Sequence, residues 1–280
     1  MKTKPFLQKI LLIAFITFAF FLEQVSAQGN LLVTPKRVVF EGNKRSEELN
    51  LANTGTDTAS YVISFIQIRM KEDGTFEQVS QPDSTLQTAS NYLRFFPRSV
   101  TLAPNEAQSV KVQLIKTNEM QDGEYRSHMY FRGIPNNNRA LGEEAQQKED
   151  GISVKITPIF GLTLPVIIRR GIPDLKINIS DLSFAFNEEQ EPILRLRLNR
   201  KGNISSYGDI NINYKSNSGA ITRVGLLKGL AVYTPNSARN LILKLDNNKT
   251  LDWKSGSLEI TYTDQANQSL VLAESSLKLN

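Results

Sequence analysis

The chain has no cysteine, one histidine and one tryptophan in 280 residues. Without cysteine there is no disulfide framework, no thiolate nucleophile, no thiolate metal site and no cysteine-linked lipid. A lone histidine, His128, leaves zinc or copper short of ligands. Its neighbour Ser127 points to the opposite face of any strand carrying both, so the two do not make a nucleophile–base pair. A glycine-rich phosphate loop is missing, and so is a regularly spaced Asp/Asn loop of the calcium-binding kind. The paired carboxylates Glu143/Glu144 and Glu188/Glu189 fall in polar loops and read as solvation. Catalysis, metal and cofactor are all unexpected. Charge of one sign is also scarce: 33 Lys and Arg stand against 28 Asp and Glu, a net +5 mixed along the chain. That balance argues against a nucleic-acid surface.

No apolar run reaches the ~20 residues that cross a bilayer. The longest, Ile10–Leu22, follows Lys2, Lys4 and Lys9 and precedes Val25-Ser26-Ala27. A basic start, a short oily stretch and small residues before a cut describe a secretory signal peptide, cleaved after Ala27. Export without disulfides means that stability comes from buried apolar area, and the remaining chain is long enough for two cores.

What is present is alternation. Short period-two stretches run from Leu32 to the end, broken by Gly, Asn, Asp and Pro, with no convincing amphipathic helix. Strands are expected at 32–40 (interrupted by Pro35), 48–53, 61–70, 92–96, 99–102, 108–114 and 125–132. A second set follows at 175–179, 182–186, 193–199, 209–214, 223–227, 241–245, 257–262 and 270–272. The fold class is therefore all-β: two immunoglobulin-like β-sandwich domains with an interdomain cleft. Residues 1–27 form the signal, 28–170 the first domain and 171–280 the second, with Arg169-Arg170-Gly171-Ile172-Pro173 as linker.

The longest alternation runs from Ile152 to Ile168, where every even position is apolar, and a polar stretch between Pro135 and Gly151 precedes it. It is roughly three times the usual strand of about 5–6 residues. A small sandwich does not cover so long an oily face, and Pro158 suits an edge strand or bulge. An uncovered strand face is an aggregation hazard unless a partner occupies it. The segment reads as an edge strand offered to another protein.

Four segments together resemble the PapD-like periplasmic chaperones of the chaperone–usher pilus pathway, nearer its archaic-type branch. They are Thr34–Phe40 (TPKRVVF), Asn53-Thr54-Gly55, Asp122–Phe131 (DGEYRSHMYF) and Leu164-Pro165-Val166-Ile167-Ile168-Arg169. The resemblance covers most of the first domain; the second matches only as a strand-rich module. It implies a periplasmic protein that donates its long strand to pilus or fimbrial subunits lacking a final strand, and delivers them to an outer-membrane usher. The donated set would be Ile152, Val154, Ile156, Phe160 and Leu162, with Leu164, Val166 and Ile168 in the protein's own core. Burying five such side chains contributes roughly 7–15 kcal/mol gross, before association costs.

The resemblance also implies that basic groups in the cleft anchor the subunit's terminal carboxylate. Arg37 matches the arginine of the family's first strand. The family's second anchor, a lysine in the long strand, falls near Gly161 or Thr163 here, and neither can serve. Arg126 is the substitute, with His128 two residues along on the same strand face. The open edge also permits self-association. The competing expectation is a structural or adhesive envelope protein whose long strand is shared between its own sheets.

Overall fold

The computed structural model describes residues 31–80, 85–135, 159–248 and 250–279. The expected signal peptide, the polar stretch after Pro135, and Ile152, Val154 and Ile156 lie outside the described residues.

The first sandwich holds β1 (Leu31–Thr34), β2 (Val38–Phe40), β3 (Ser46–Asn53), β4 (Ala59–Ile66), β5 (Ile68–Met70), β6 (Phe76–Gln78), β7 (Leu93–Phe96), β8 (Ser99–Leu102), β9 (Ala107–Leu114), β10 (Gly123–Ile134) and β11 (Gly161–Arg170). One sheet runs β1-β3-β9-β7; the other runs β2-β11-β10-β4-β8. Pro35 breaks the first expected strand into two, and the halves enter opposite sheets. The alternation in β3 and β9 sends Leu49, Leu51, Val110 and Val112 inward against Phe131, Leu164, Val166 and Ile168 from the other sheet. The Asn53-Thr54-Gly55 turn is pinned by the buried Asn53 amide, which donates to the carbonyls of Asp57, Leu102 and Ala103 and accepts from Gly55 N–H.

The second sandwich holds β12 (Leu175–Phe186), β13 (Pro192–Gly202), β14 (Ser206–Lys215), β15 (Ile221–Val232), β16 (Ala238–Lys244), β17 (Ser257–Asp264) and β18 (Val271–Lys278). Its sheets run β12-β13-β16 and β15-β14-β17-β18, around a core of Leu194, Leu198, Ile210, Val224, Leu258 and Tyr262. The two-sandwich all-β architecture expected from alternation is the one found.

Three local readings need correction. The strand expected over 61–70 breaks at Gln67, whose side chain is held by Ser90 and Ser127, and the chain continues into a separate β5–β6 hairpin. The stretches expected at 175–179 and 182–186 are one strand, irregular between Ser180 and Ser183. Arg169 and Arg170 end β11 and are not linker; the turn begins at Gly171, whose φ of 79° favours glycine.

Candidate functional site

β11 is paired with β10 along its whole length, from Gly161↔Arg132 to Arg170↔Gly123. On its other side, among the described residues, it meets only β2, and only over Val166–Ile168. Among the described residues nothing pairs with 161–165 on that side. Along this edge the apolar face leaves the core. Leu164, Val166 and Ile168 are 2%, 0% and 2% exposed, whereas Leu162 and Phe160, next on the same face, are 38% and 52% exposed. Leu162 still lies opposite the fully buried Phe131, at the rim of the sandwich. The Phe160 carbonyl accepts from Gly133 N–H at 2.9 Å, which keeps the chain extended past the end of the strand. On the opposite face Tyr130 lies across Gly161, where a Cβ would sit 2.4 Å from the ring.

The odd face of β11 has a different destination. Ile167 is fully buried in the second sandwich's core, with Val39 packed against the same cluster. One strand thus serves two cores.

Between the sandwiches lies a cleft rich in cations. Arg37, just before β2, donates to the Tyr233 hydroxyl at 3.1 Å, and its guanidinium carbon lies 4.4 Å from the Tyr207 ring centroid. Arg126 on β10 is 3% exposed; its guanidinium carbon sits 4.0 Å from the Tyr233 centroid, and Nη2 donates at 3.4 Å to the carbonyls of Ile68 and Thr234. Burial pushes the Arg126 pKa down to about 10, with Tyr233 and Glu124 opposing and Arg37 adding to the shift. Burial, then Arg126 and Arg37, push His128 down to about 3, so it is neutral near pH 7. In the free protein His128 is thus a neutral ring that brings no charge to the cleft near pH 7. Its ring packs instead near Phe76 and Tyr233.

Arg37 and His128 line a cavity of about 350 Å³ together with Phe76, Tyr207, Tyr233 and Arg239. Arg126 lines a different cavity of about 370 Å³ with Glu124, Arg200 and Thr234. The three sequence-derived anchors thus reach one cleft but not one cavity, and Tyr233 contacts both arginines. Arg37 Nη2, Arg126 Nη1, His128 Nδ1 and Arg239 Nε are buried and have no hydrogen-bond partner among the described residues. Unpaired buried donors are costly. Several guanidinium nitrogens left open at one cleft favour an anion there.

The cleft is held by two contacts that sequence reasoning missed. Glu124, its side chain 0% exposed, accepts from Arg169 Nε at 3.1 Å, Ser205 N–H at 2.9 Å and Thr234 Oγ1 at 3.2 Å, and from the Ser205 hydroxyl. The β5–β6 hairpin reaches from the first sandwich to the second. Met70 is buried in the second core, its carbonyl accepts from Asn236 Nδ2, the Glu72 carbonyl accepts from Asn240 N–H, and the Glu72 carboxylate pairs with Arg197 at 3.2 Å. Tyr233, Arg239 and Glu124 carry no periodic signal; only the Asp-Gly-Glu-Tyr-Arg run and the misread Arg169 pointed near them. Ser127, beside the histidine, is committed to Gln67 and to Ser90 N–H. Among the described residues no group of three or more His, Asp or Glu is placed to hold a metal ion.

No protein-family model matches the chain, and no curated protein matches it. Among solved structures, the chain is similar to the YadV chaperone at 11% identity and TM-score 0.45, covering 90% of this chain and 100% of that one. It is similar to a chain of the CsuC–CsuE chaperone–tip adhesion subunit pre-assembly complex from archaic chaperone–usher Csu pili of Acinetobacter baumannii at 12% identity and TM-score 0.43, covering 90% and 98%. It is similar to the CupB2 chaperone of Pseudomonas aeruginosa at 14% identity and TM-score 0.41, covering 89% and 99%.

Proposed function

We propose that this protein is a periplasmic chaperone that captures pilus or fimbrial subunits by lending them an edge strand, and passes them to an outer-membrane usher. It works by binding, without turnover. One observation carries the reading: the apolar face of β11 emerges from the core after Leu164 and continues, exposed, through Leu162 and on to Phe160, along an edge that no described residue pairs. A subunit that lacks a strand supplies what this edge needs, a ladder for the free backbone and pockets for alternate side chains. The cleft beside it has open guanidinium nitrogens for an anionic terminus. A strand shared between two cores would also suit a structural envelope protein. Such a protein has no use for Phe160 and Leu162 standing on an open edge.

The test is Phe160→Asp with Leu162→Asp, co-expressed with the open reading frames that neighbour this one and read by which products co-purify. Both side chains are about half-exposed in the free protein, so its stability in urea should fall by about 2–3 kcal/mol with the fold retained. Losing the remaining burial, roughly 2–3 kcal/mol for the pair, weakens capture by on the order of 100-fold. Co-purification of a subunit at wild-type yield would refute the proposal.

A further inference from the structure

We infer that the outer face of the β12-β13-β16 sheet is a docking surface for a membrane carrying anionic lipid headgroups. The surface belongs to the second sandwich alone and is independent of the β11 edge and of the cleft.

In β13, Leu194, Leu196 and Leu198 turn into the core, so Arg195, Arg197 and Lys201 stand on the outer face. Lys176 of β12 lies directly opposite Lys201, and Lys244 of β16 lies opposite Ile193, both on that same face. Five cations thus share one face, spread over about 20 Å between Arg195 and Lys201 at the usual rise. The only acid in the three strands is Asp181, at the irregularity of β12. Arg197 pairs with Glu72 at 3.2 Å and Lys244 with Glu191. Lys176, Arg195 and Lys201 are exposed and have no ion pair among the described residues. Like charges directly opposite on a sheet destabilise it. Two other sheets set opposite charges together: Glu48 faces Lys111 across β3 and β9, and Lys215 pairs with Glu259 across β14 and β17 at 3.0 Å. The Lys176–Lys201 repulsion is relieved when anions lie against both. These cations are spread over an open sheet face and not gathered in a cavity, which suits a layer of headgroups better than one small anion. Ile242, 66% exposed and opposite Arg195, sets one apolar side chain among them, placed to enter the interfacial layer while Arg195 reaches a phosphate. Each Lys or Arg at an anionic bilayer strengthens binding about fivefold, so the three unpaired cations together give on the order of 100-fold.

The test is co-sedimentation with vesicles, using the chain from Gln28 onward so that the basic and apolar leader does not bind lipid itself. One set of vesicles is phosphatidylcholine alone; the other replaces about a third of it with phosphatidylglycerol, and both are read at about 0.05 M and about 0.3 M salt. At low salt the wild type should bind the mixed vesicles on the order of 100-fold more tightly than the neutral ones, and high salt should remove most of that preference. Lys176→Gln with Arg195→Gln and Lys201→Gln should abolish the preference yet unfold at the wild-type urea midpoint, since all three side chains are exposed. Lys111→Gln with Lys228→Gln and Lys278→Gln takes the same charge from other exposed positions and should bind as wild type. Equal loss in the two triple variants would mean that only net charge is read, and the inference fails. It fails too if the wild type shows no preference for the mixed vesicles. Binding of poly-glutamate in place of the vesicles would assign the face to an acidic protein segment and overturn the membrane reading. None of these results bears on capture through β11.

Discussion

Removing the Glu124 side chain should separate the two sandwiches energetically. In Glu124→Ala, Arg169 loses its partner at 3.1 Å but keeps Glu41 at 3.3 Å and the Ser205 carbonyl at 3.1 Å. Arg169 is also 20% exposed, so water relieves part of its charge. The Ser205 N–H is buried and donates to the Glu124 carboxylate at 2.9 Å, so it loses that acceptor. Breaking a sealed ion pair costs about 3–5 kcal/mol, and the partial relief of Arg169 puts this loss near 3 kcal/mol. Glu124→Gln retains an acceptor oxygen for Ser205 and should cost about 1–2 kcal/mol. Urea unfolding measures both, at a slope of about 1–3 kcal/mol per molar. Trp253, stacked on Phe184 at 5.3 Å, reports the second sandwich by fluorescence, while far-UV circular dichroism reports both. The wild type should give coincident curves. Glu124→Ala should shift the midpoint down and pull the two signals apart. A variant within about 0.5 kcal/mol of wild type, or Glu124→Gln worse than Glu124→Ala, refutes the reasoning.

Two further outcomes are expected. Leu164→Ala should cost about 2–5 kcal/mol in urea unfolding and Leu162→Ala less than about 1, although the two face the same way on one strand, because only Leu164 is sealed in the core. His128 has a folded pKa near 3 against about 6.5 unfolded, so the unfolded chain takes the proton first as pH falls; stability is full above about pH 6.5 and declines toward 3 by up to about 1.4 kcal/mol per pH unit. Urea midpoints of His128→Gln between about pH 7.5 and 4.5 should fall less steeply than wild type, and parallel curves would contradict this.

Local pattern made most of the sandwiches legible. Alternation put Leu49, Leu51, Val110 and Val112 on one face, and the burial of Leu164, Val166 and Ile168 follows the same rule. Pro35 marked its own break. The failures share a cause. Ile167 sits on the face that alternation assigns outward, and it is buried only because a second core closes over it. Met70 reads as the end of a first-sandwich strand, yet it completes the other core. Arg169 resembles a linker because Gly171 and Pro173 follow it, and nothing nearby announces Glu124 or Ser205 as its partners. In the cleft, the positions of Arg37 and Arg126 came by resemblance, while Tyr233, just past β15, and Arg239, on β16, lie more than a hundred residues away with no spacing to betray them. His128 was placed correctly on its strand, but its neutrality depends on burial between the two sandwiches, which no single-strand pattern encodes.

A strand rooted in two bodies at once behaves as a ruler. With Val166 and Ile168 locked on one side and Ile167 on the other, β11 cannot slip by a residue without dragging both halves out of place. Its exposed teeth therefore stand at fixed distances from the second core, about 17 Å from Ile167 to Leu162 at the usual rise. One residue spliced in after Thr163 would lengthen the span by about 3 Å and turn every tooth beyond it to the wrong side.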